Sequence, residues 1–194
     1  LSVMRTVQEL ETAGVSGMSI EDTELPQPYR ENKQSLLSLD EGIGKMKAAV
    51  AAKQDPALVI AGRTSAAAIA GLDEAITRAK AYEAVGVDAL FMVGVRTRAE
   101  VDAISAATTL PLILGGSTPE LEDKDYLSAR RVRIALQGHQ PIMAAQQAVY
   151  ATLKALRDGV KPKDLTGLPS KELMQVVTRS DQYDTWSKDF LDQV

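Results

Sequence analysis

Apolar positions recur along the chain in two alternating rhythms, one of helical period and one of short unbroken runs. Residues 1–14, "LSVMRTVQELETAG", set Val3, Val7 and Leu10 on one helical face, with Gly14 suited to the position just past a helix end. "VSGMSI" (15–20) follows as a short strand. "SLDEGIGKMKAAVAAKQ" (38–54) is helical again, with Ser38 or Asp40 as its N-cap. Further strands are predicted in "PALVIAG" (56–62), "DALFMVGV" (88–95), "LPLILGG" (110–116) and "VRIAL" (132–136). Helices are predicted in "GLDEAITRAKAYEAVG" (71–86), "RAEVDAISAAT" (98–108), "ELEDKDYLSAR" (120–130) and "PIMAAQQAVYATLKALRDG" (141–159). The last has Pro141 near its first turn and Gly159 after its end. Beyond a linker, "VKPKDLTGLPS" (160–170), the rest reads as one or two helices that need something to pack on.

The strand runs are apolar without clean alternation, as strands buried on both faces of a parallel sheet are. "TAGVSGMSI" (12–20) and "AVGVDALFM" (84–92) repeat one order of helix end, glycine, valine and strand, a weak internal repeat. Repeated βα units close either as an open doubly wound sheet or as a (β/α)8 barrel. No G-x-G-x-x-G stands at any strand-to-helix turn, which removes the main support for a dinucleotide-binding open sheet. Five strands are predicted, and a barrel typically takes about 250 residues. The chain of 194 residues is therefore expected to be the C-terminal part of a (β/α)8 barrel in residues 1–160, with a linker and helical extension in 161–194. Its opening on Leu1, directly into an amphipathic pattern, suggests a piece of a longer polypeptide.

Composition narrows the chemistry. Apolar residues at 45% specify a globular chain. A formal net charge of −4 gives no electrostatic reason to expect nucleic acid or an anionic membrane. There is no cysteine, which rules out disulfides, thiolate metal sites and a cysteine nucleophile within this sequence and suits a cytoplasmic protein. No apolar run approaches the roughly 20 residues of a membrane-spanning helix.

In parallel βα folds ligands sit beyond the carboxyl ends of the strands. Polar groups gather there: Glu21-Asp22-Thr23, Arg63-Thr64-Ser65, Arg96, Gly115-Gly116-Ser117 and Gln137-Gly138-His139. Glu21 and Asp22 are hard oxygen donors suited to Mg²⁺, or are loop and capping acids. Arg63 ends an apolar strand, so its guanidinium binds either a substrate carboxylate or an internal acid such as Glu21. Arg96 reads as a solvated residue at a helix start, and Gly115-Gly116 either leave room for a substrate or make a turn. His139, the only histidine, can exchange a proton near neutral pH and lies near a helix N-terminus that attracts anions; the alternative is a loop histidine bonded to backbone.

"GMSIEDTELP", "IAGRTSA", "ITRAKAYEAVGVDALFMVGV" and "GGSTP" together resemble the isocitrate lyase/phosphoenolpyruvate mutase superfamily along the whole chain, and "GHQP" points to its decarboxylase branch. The resemblance implies a (β/α)8 barrel, a Mg²⁺ cofactor (with Mn²⁺ as a substitute), an α-oxocarboxylate substrate, and a homotetramer, a dimer of dimers, whose C-terminal helices swap between neighbours. It implies decarboxylation of oxaloacetate, with 3-methyloxaloacetate as a second substrate. Glu21 matches the glutamate that holds the metal through water. Arg63 matches the arginine on the substrate carboxylate and enolate oxygen, and His139 the histidine facing C3. The aspartates that ligate the metal directly, and the amides that bind the carboxylate, are expected before Leu1. Lyases of the superfamily carry a cysteine in the gating loop, here "TELPQPYRENKQ", which has none. Two alternatives stand beside this reading: a methylisocitrate lyase or phosphonopyruvate mutase or hydrolase, and a non-catalytic truncated barrel that serves assembly.

Overall fold

A computed structural model describes residues 1–26 and 34–191. The chain divides into two units, Leu1–Gly138 and His139–Val194.

The first unit alternates as the apolar pattern predicts. Helix α1 (Ser2–Thr12) leads into β1 (Gly17–Glu21), then α2 (Leu39–Ala52) into β2 (Val59–Thr64). Helices α3 (Ala66–Ile69) and α4 (Leu72–Val85) precede β3 (Ala89–Met92), α5 (Arg98–Ala107) precedes β4 (Leu112–Leu114), and α6 (Lys124–Ala129) precedes β5 (Val132–Ala135). The five strands form one parallel sheet in the order β1-β2-β3-β4-β5. Strands that pair strictly in chain order wind as a barrel wall does, whereas a doubly wound sheet reverses at a switch point.

Register gives each face of this sheet its character. Ile20, Gly62, Leu90 and Leu112 form one row across four strands, and Leu112 continues to Val132. This row faces the helices. Ile20, Leu90, Leu112 and Val132 join Val7, Met46, Ala79, Tyr82, Val101, Ile104 and Leu127 in the core. Gly62 has no side chain because the Tyr82 ring occupies the space, 3.2 Å from where a Cβ would lie. The adjacent row, Glu21, Arg63, Phe91, Ile113 and Ile134, faces away from that core. On this second face Val59 and Ile134 keep 41% and 49% of their surface exposed, so apolar side chains there lack cover within the unit.

Local chemistry explains most element boundaries. Ser38 caps α2 by accepting the Glu41 N–H at 3.2 Å; such a cap contributes about 1 kcal/mol. Thr97 and Glu100 form a reciprocal capping box at α5. Gly86 ends α4 in the left-handed conformation, at φ +97°. The strand bounds shift by up to three residues from those the pattern predicts, and three departures have a local cause. The helix expected over 120–130 is a 3₁₀ turn, Pro119–Leu121, and the shorter α6, because the Asp123 side chain caps Tyr126 N–H and starts a new helix there. Helix α3 was not foreseen; its four residues are too few to show a period. Strand β3 stops at Met92, two residues before Gly94, whose φ of +86° brings its backbone against Ala68.

The second unit holds α7 (Gln140–Arg157), α8 (Lys171–Thr178) and α9 (Ser180–Phe190), so the terminal segment is two helices. None of the three buries a residue. Ile142, Val149, Leu153, Val176, Trp186 and Phe190 are all exposed. Tyr183 and Trp186 meet edge to face, with centroids 5.3 Å apart. Among the described residues no helix is long and apolar enough to cross a membrane.

Candidate functional site

The polar ends of β1 and β2 meet on the uncovered face. Glu21 and Arg63 are register partners, so their side chains leave the sheet side by side. Arg63 Nε lies 3.3 Å from Glu21 Oε2, the internal pairing that was one of two readings of Arg63. The distance makes an ion pair, yet the Nε–H is not aligned with the oxygen and finds no hydrogen-bond partner among the described residues. Phe91, next along the same register row, supports the guanidinium from its ring face at 4.8 Å, a cation–π contact. Arg63 is therefore held by a charge and a ring and keeps a buried donor unspent, although a buried polar group normally finds a partner.

Glu21 is fastened from three sides. Its Oε1 accepts the Thr23 hydroxyl at 2.7 Å and the Ser65 hydroxyl at 3.4 Å. Its backbone carbonyl accepts Lys45 Nζ at 2.5 Å. Both side chains of the Glu21–Arg63 pair stay partly open to solvent, at 27% and 35% exposure. A carboxylate with two hydroxyls and a guanidinium on it fits a water-mediated contact with Mg²⁺ better than a direct ligand. Among the described residues no three His, Asp or Glu side chains gather as a metal site.

Asp22 goes the other way. Side chains alternate along an extended backbone, so the residue after Glu21 points into the helix layer. It is fully buried there, with Oδ2 accepting Arg78 Nη1 at 2.9 Å and the Tyr82 hydroxyl at 2.6 Å. Arg78 Nε also donates to Glu74 Oε1 at 2.8 Å. Burial, with the Asp22 charge beside it, pushes the Tyr82 hydroxyl above its ordinary pKa. Sequence reasoning missed Arg78 and Tyr82. A signal was present: Ala75, Arg78, Ala79 and Tyr82 are all buried and repeat at helical spacing, so an arginine occupies the apolar stripe of α4.

The remaining candidates separate. The Arg96 side chain is exposed, and its backbone N–H donates to Glu100 Oε2 at 2.7 Å, so it stands at the start of α5 as expected. This bond holds the Glu100 carboxylate below its usual range. A Cβ on Gly115 would meet Val93 at 3.0 Å and Phe91 at 3.3 Å, whereas Gly116 has open space around it. His139 is the exposed N-cap residue of α7 and the first residue of the second unit. Of the expected gating loop, residues 27–33 lie outside the described residues.

Comparison with known proteins gives one consistent picture. The family model for phosphoenolpyruvate phosphomutase matches residues 2–157. A protein of Bradyrhizobium sp. (strain ORS 278) named oxaloacetate decarboxylase is 59% identical over 191 residues, which cover 98% of this chain and 66% of that protein. A protein of the same name from Rhodopseudomonas palustris (strain ATCC BAA-98 / CGA009) is 59% identical over 93% of this chain and 63% of its own length. The chain thus spans just under two thirds of these curated relatives. The structure of a phosphonopyruvate hydrolase complexed with oxalate and Mg²⁺ superposes with a TM-score of 0.72 at 29% identity, covering 97% of this chain and 68% of the other.

Proposed function

The chain belongs to the phosphoenolpyruvate phosphomutase family, and from that membership we propose that it forms part of a (β/α)8 barrel that decarboxylates oxaloacetate to pyruvate and CO₂. The observation that carries this reading is the row Glu21–Arg63–Phe91 at the strand ends, with a buried Arg63 donor left unpaired among the described residues. The two relatives at 59% identity bear the name of that activity. The proposal extends to 3-methyloxaloacetate as a second substrate. The proposed division of the chain is barrel wall in 1–160, and linker and helical extension in 161–194.

Arg63 binds the substrate carboxylate and the C2 oxygen. A guanidinium suits a planar dianion, and here Phe91 and Glu21 orient it before substrate arrives. As the C3–C4 bond breaks, C4 leaves as CO₂ and the bonding pair passes into the C2–C3 enolate of pyruvate. Arg63 stabilises the negative charge that develops on the C2 oxygen. His139 delivers a proton to C3, which completes pyruvate. Glu21 fixes Arg63 and would hold Mg²⁺ through water. The ion, when bound, supplies Lewis-acid polarisation of the substrate oxygen. The proposed setting is a cytoplasmic homotetramer, a dimer of dimers, in which α8 and α9 swap between subunits and bury Leu173, Val176, Trp186 and Phe190, all exposed in the single chain.

The test is CO₂ release from oxaloacetate by the full-length protein and its His139→Gln variant. Proton-transfer groups contribute about 10²–10⁴-fold, so a loss of that size is expected. A loss well below about tenfold would leave His139 a binding role only, and wild-type turnover would remove it from the site. Methylisocitrate and phosphonopyruvate, assayed beside oxaloacetate, separate the decarboxylase from its lyase and mutase or hydrolase relatives.

A further inference from the structure

The buried group Asp22–Arg78–Tyr82 takes no part in the mechanism above, yet it joins three separate stretches of chain. Two of these are the stems of the segment that follows β1. Asp22, Thr23 and Glu24 run antiparallel to Ser35, Leu36 and Leu37: Leu37 N–H donates to Asp22 O at 2.9 Å, and Glu24 N–H to Ser35 O at 2.9 Å. Thr23 and Leu36 form a bridge, and the Ser35 hydroxyl donates to Glu24 Oε2 at 2.7 Å. Arg78 reaches both stems from α4. Its Nη1 donates to the Asp22 carboxylate at 2.9 Å, and its Nη2 to the Leu37 carbonyl at 2.8 Å. Nε is fixed on Glu74, so the planar fork has a defined orientation. The second Asp22 oxygen is buried without a partner among the described residues, which leaves Arg78 and Tyr82 to hold this carboxylate. From the clamped stem, Thr23 passes its hydroxyl to Glu21 Oε1 at 2.7 Å, and Glu21 faces Arg63.

We propose that Arg78 is a positioning residue: by gripping Asp22 and Leu37 at once it fixes the two stems, and through Thr23 it sets the Glu21–Arg63 pair. It touches no substrate. The catalytic consequence rests on the decarboxylase reading given above; the clamp itself does not. A lysine can neutralise Asp22 but cannot bond three partners in a plane, so Arg78→Lys separates charge balance from clamping.

The experiment uses the full-length protein with Arg78→Lys and, as a second variant that leaves no buried charge, the double change Asp22→Asn with Arg78→Met. Site-resolved hydrogen exchange is followed at the Leu37 and Glu24 amides, with the Leu90 amide in β3 as internal reference. In both variants the two stem amides should exchange about tenfold faster or more while Leu90 is little changed, and kcat/KM for oxaloacetate should fall by about tenfold. Unchanged stem exchange, or an equal rise at Leu90, would overturn the clamp. A local rise with wild-type kcat/KM would overturn the positioning role. If the unaltered protein leaves oxaloacetate intact, the decarboxylase reading fails, while a local rise in exchange still supports the clamp.

Discussion

Glu21 and Asp22 are adjacent in the chain, and each faces an arginine, but the two pairs are built differently. Asp22 and Arg78 meet at 2.9 Å with side chains 0% and 4% exposed, and every polar atom of the Arg78 fork has a partner. Glu21 and Arg63 meet at 3.3 Å without an aligned hydrogen bond, and both remain partly solvated. Burial in the helix layer requires that each charge be compensated, since an uncompensated one there is costly, and Asp22 Oδ2 takes both donors while Oδ1 has none among the described residues. The opposite face of the sheet tolerates a looser pair, in which Arg63 Nε stays unpaired among the described residues while both side chains keep some contact with solvent. The first pair is sealed in the helix layer, and the second stays in contact with solvent.

The largest expected effect breaks the buried pair. Asp22→Ala takes from the buried Arg78 its one fully buried acidic partner, leaving only the part-exposed Glu74, and should cost about 3–5 kcal/mol of stability in urea unfolding. A loss under about 1 kcal/mol would erase the distinction between the pairs. Arg63→Ala should act on the other axis. Oxaloacetate decarboxylation by the full-length protein falls about 10²–10³-fold, as for removal of an oxyanion donor, while the unfolding midpoint barely moves.

Tyr82→Phe should cost about 1–3 kcal/mol near neutral pH, because the Asp22 carboxylate loses a buried donor. Its pH dependence sharpens the comparison. The folded protein binds the Tyr82 proton more tightly than the unfolded chain, whose phenol titrates near 10.0. This contribution is therefore fully present below pH 10 and is lost above it, by about 1.4 kcal/mol per pH unit until the folded group also titrates. The phenylalanine variant should lose stability less steeply in that alkaline range, and parallel slopes would contradict the buried hydrogen bond. The smallest effect is expected from Thr23→Val, which removes one of two hydroxyls from Glu21 Oε1 and should lower kcat/KM about fivefold, near 1 kcal/mol, with stability little changed.

Much of the first unit was legible because its signals are local. The helical stripe of α1, the Ser38 cap and the glycine after α4 are each set within a few residues. The gathering of Glu21, Arg63 and Gly115 at strand ends followed from the βα order alone. Arg78 was not legible as a partner of Asp22, because the two are separated by 56 positions and only the packing of α4 on the sheet unites them. Helix α6 is shorter than the apolar spacing implies, because that spacing runs on across the break made by the local Asp123 cap.

What the sequence by itself determined is the alternation of strands and helices, their caps, and the rim on which polar residues collect. These depend on period, on backbone freedom and on hydrogen bonds within one turn. That Glu21 and Asp22 point to opposite sides also follows from the chain. Which of them meets the helix layer was decided only by the tertiary structure, because the direction of a strand's pleat is set by what packs on each face. Arg78 and Tyr82, brought in by α4, drew Asp22 into the core, and Glu21 was left with Arg63 on the open side.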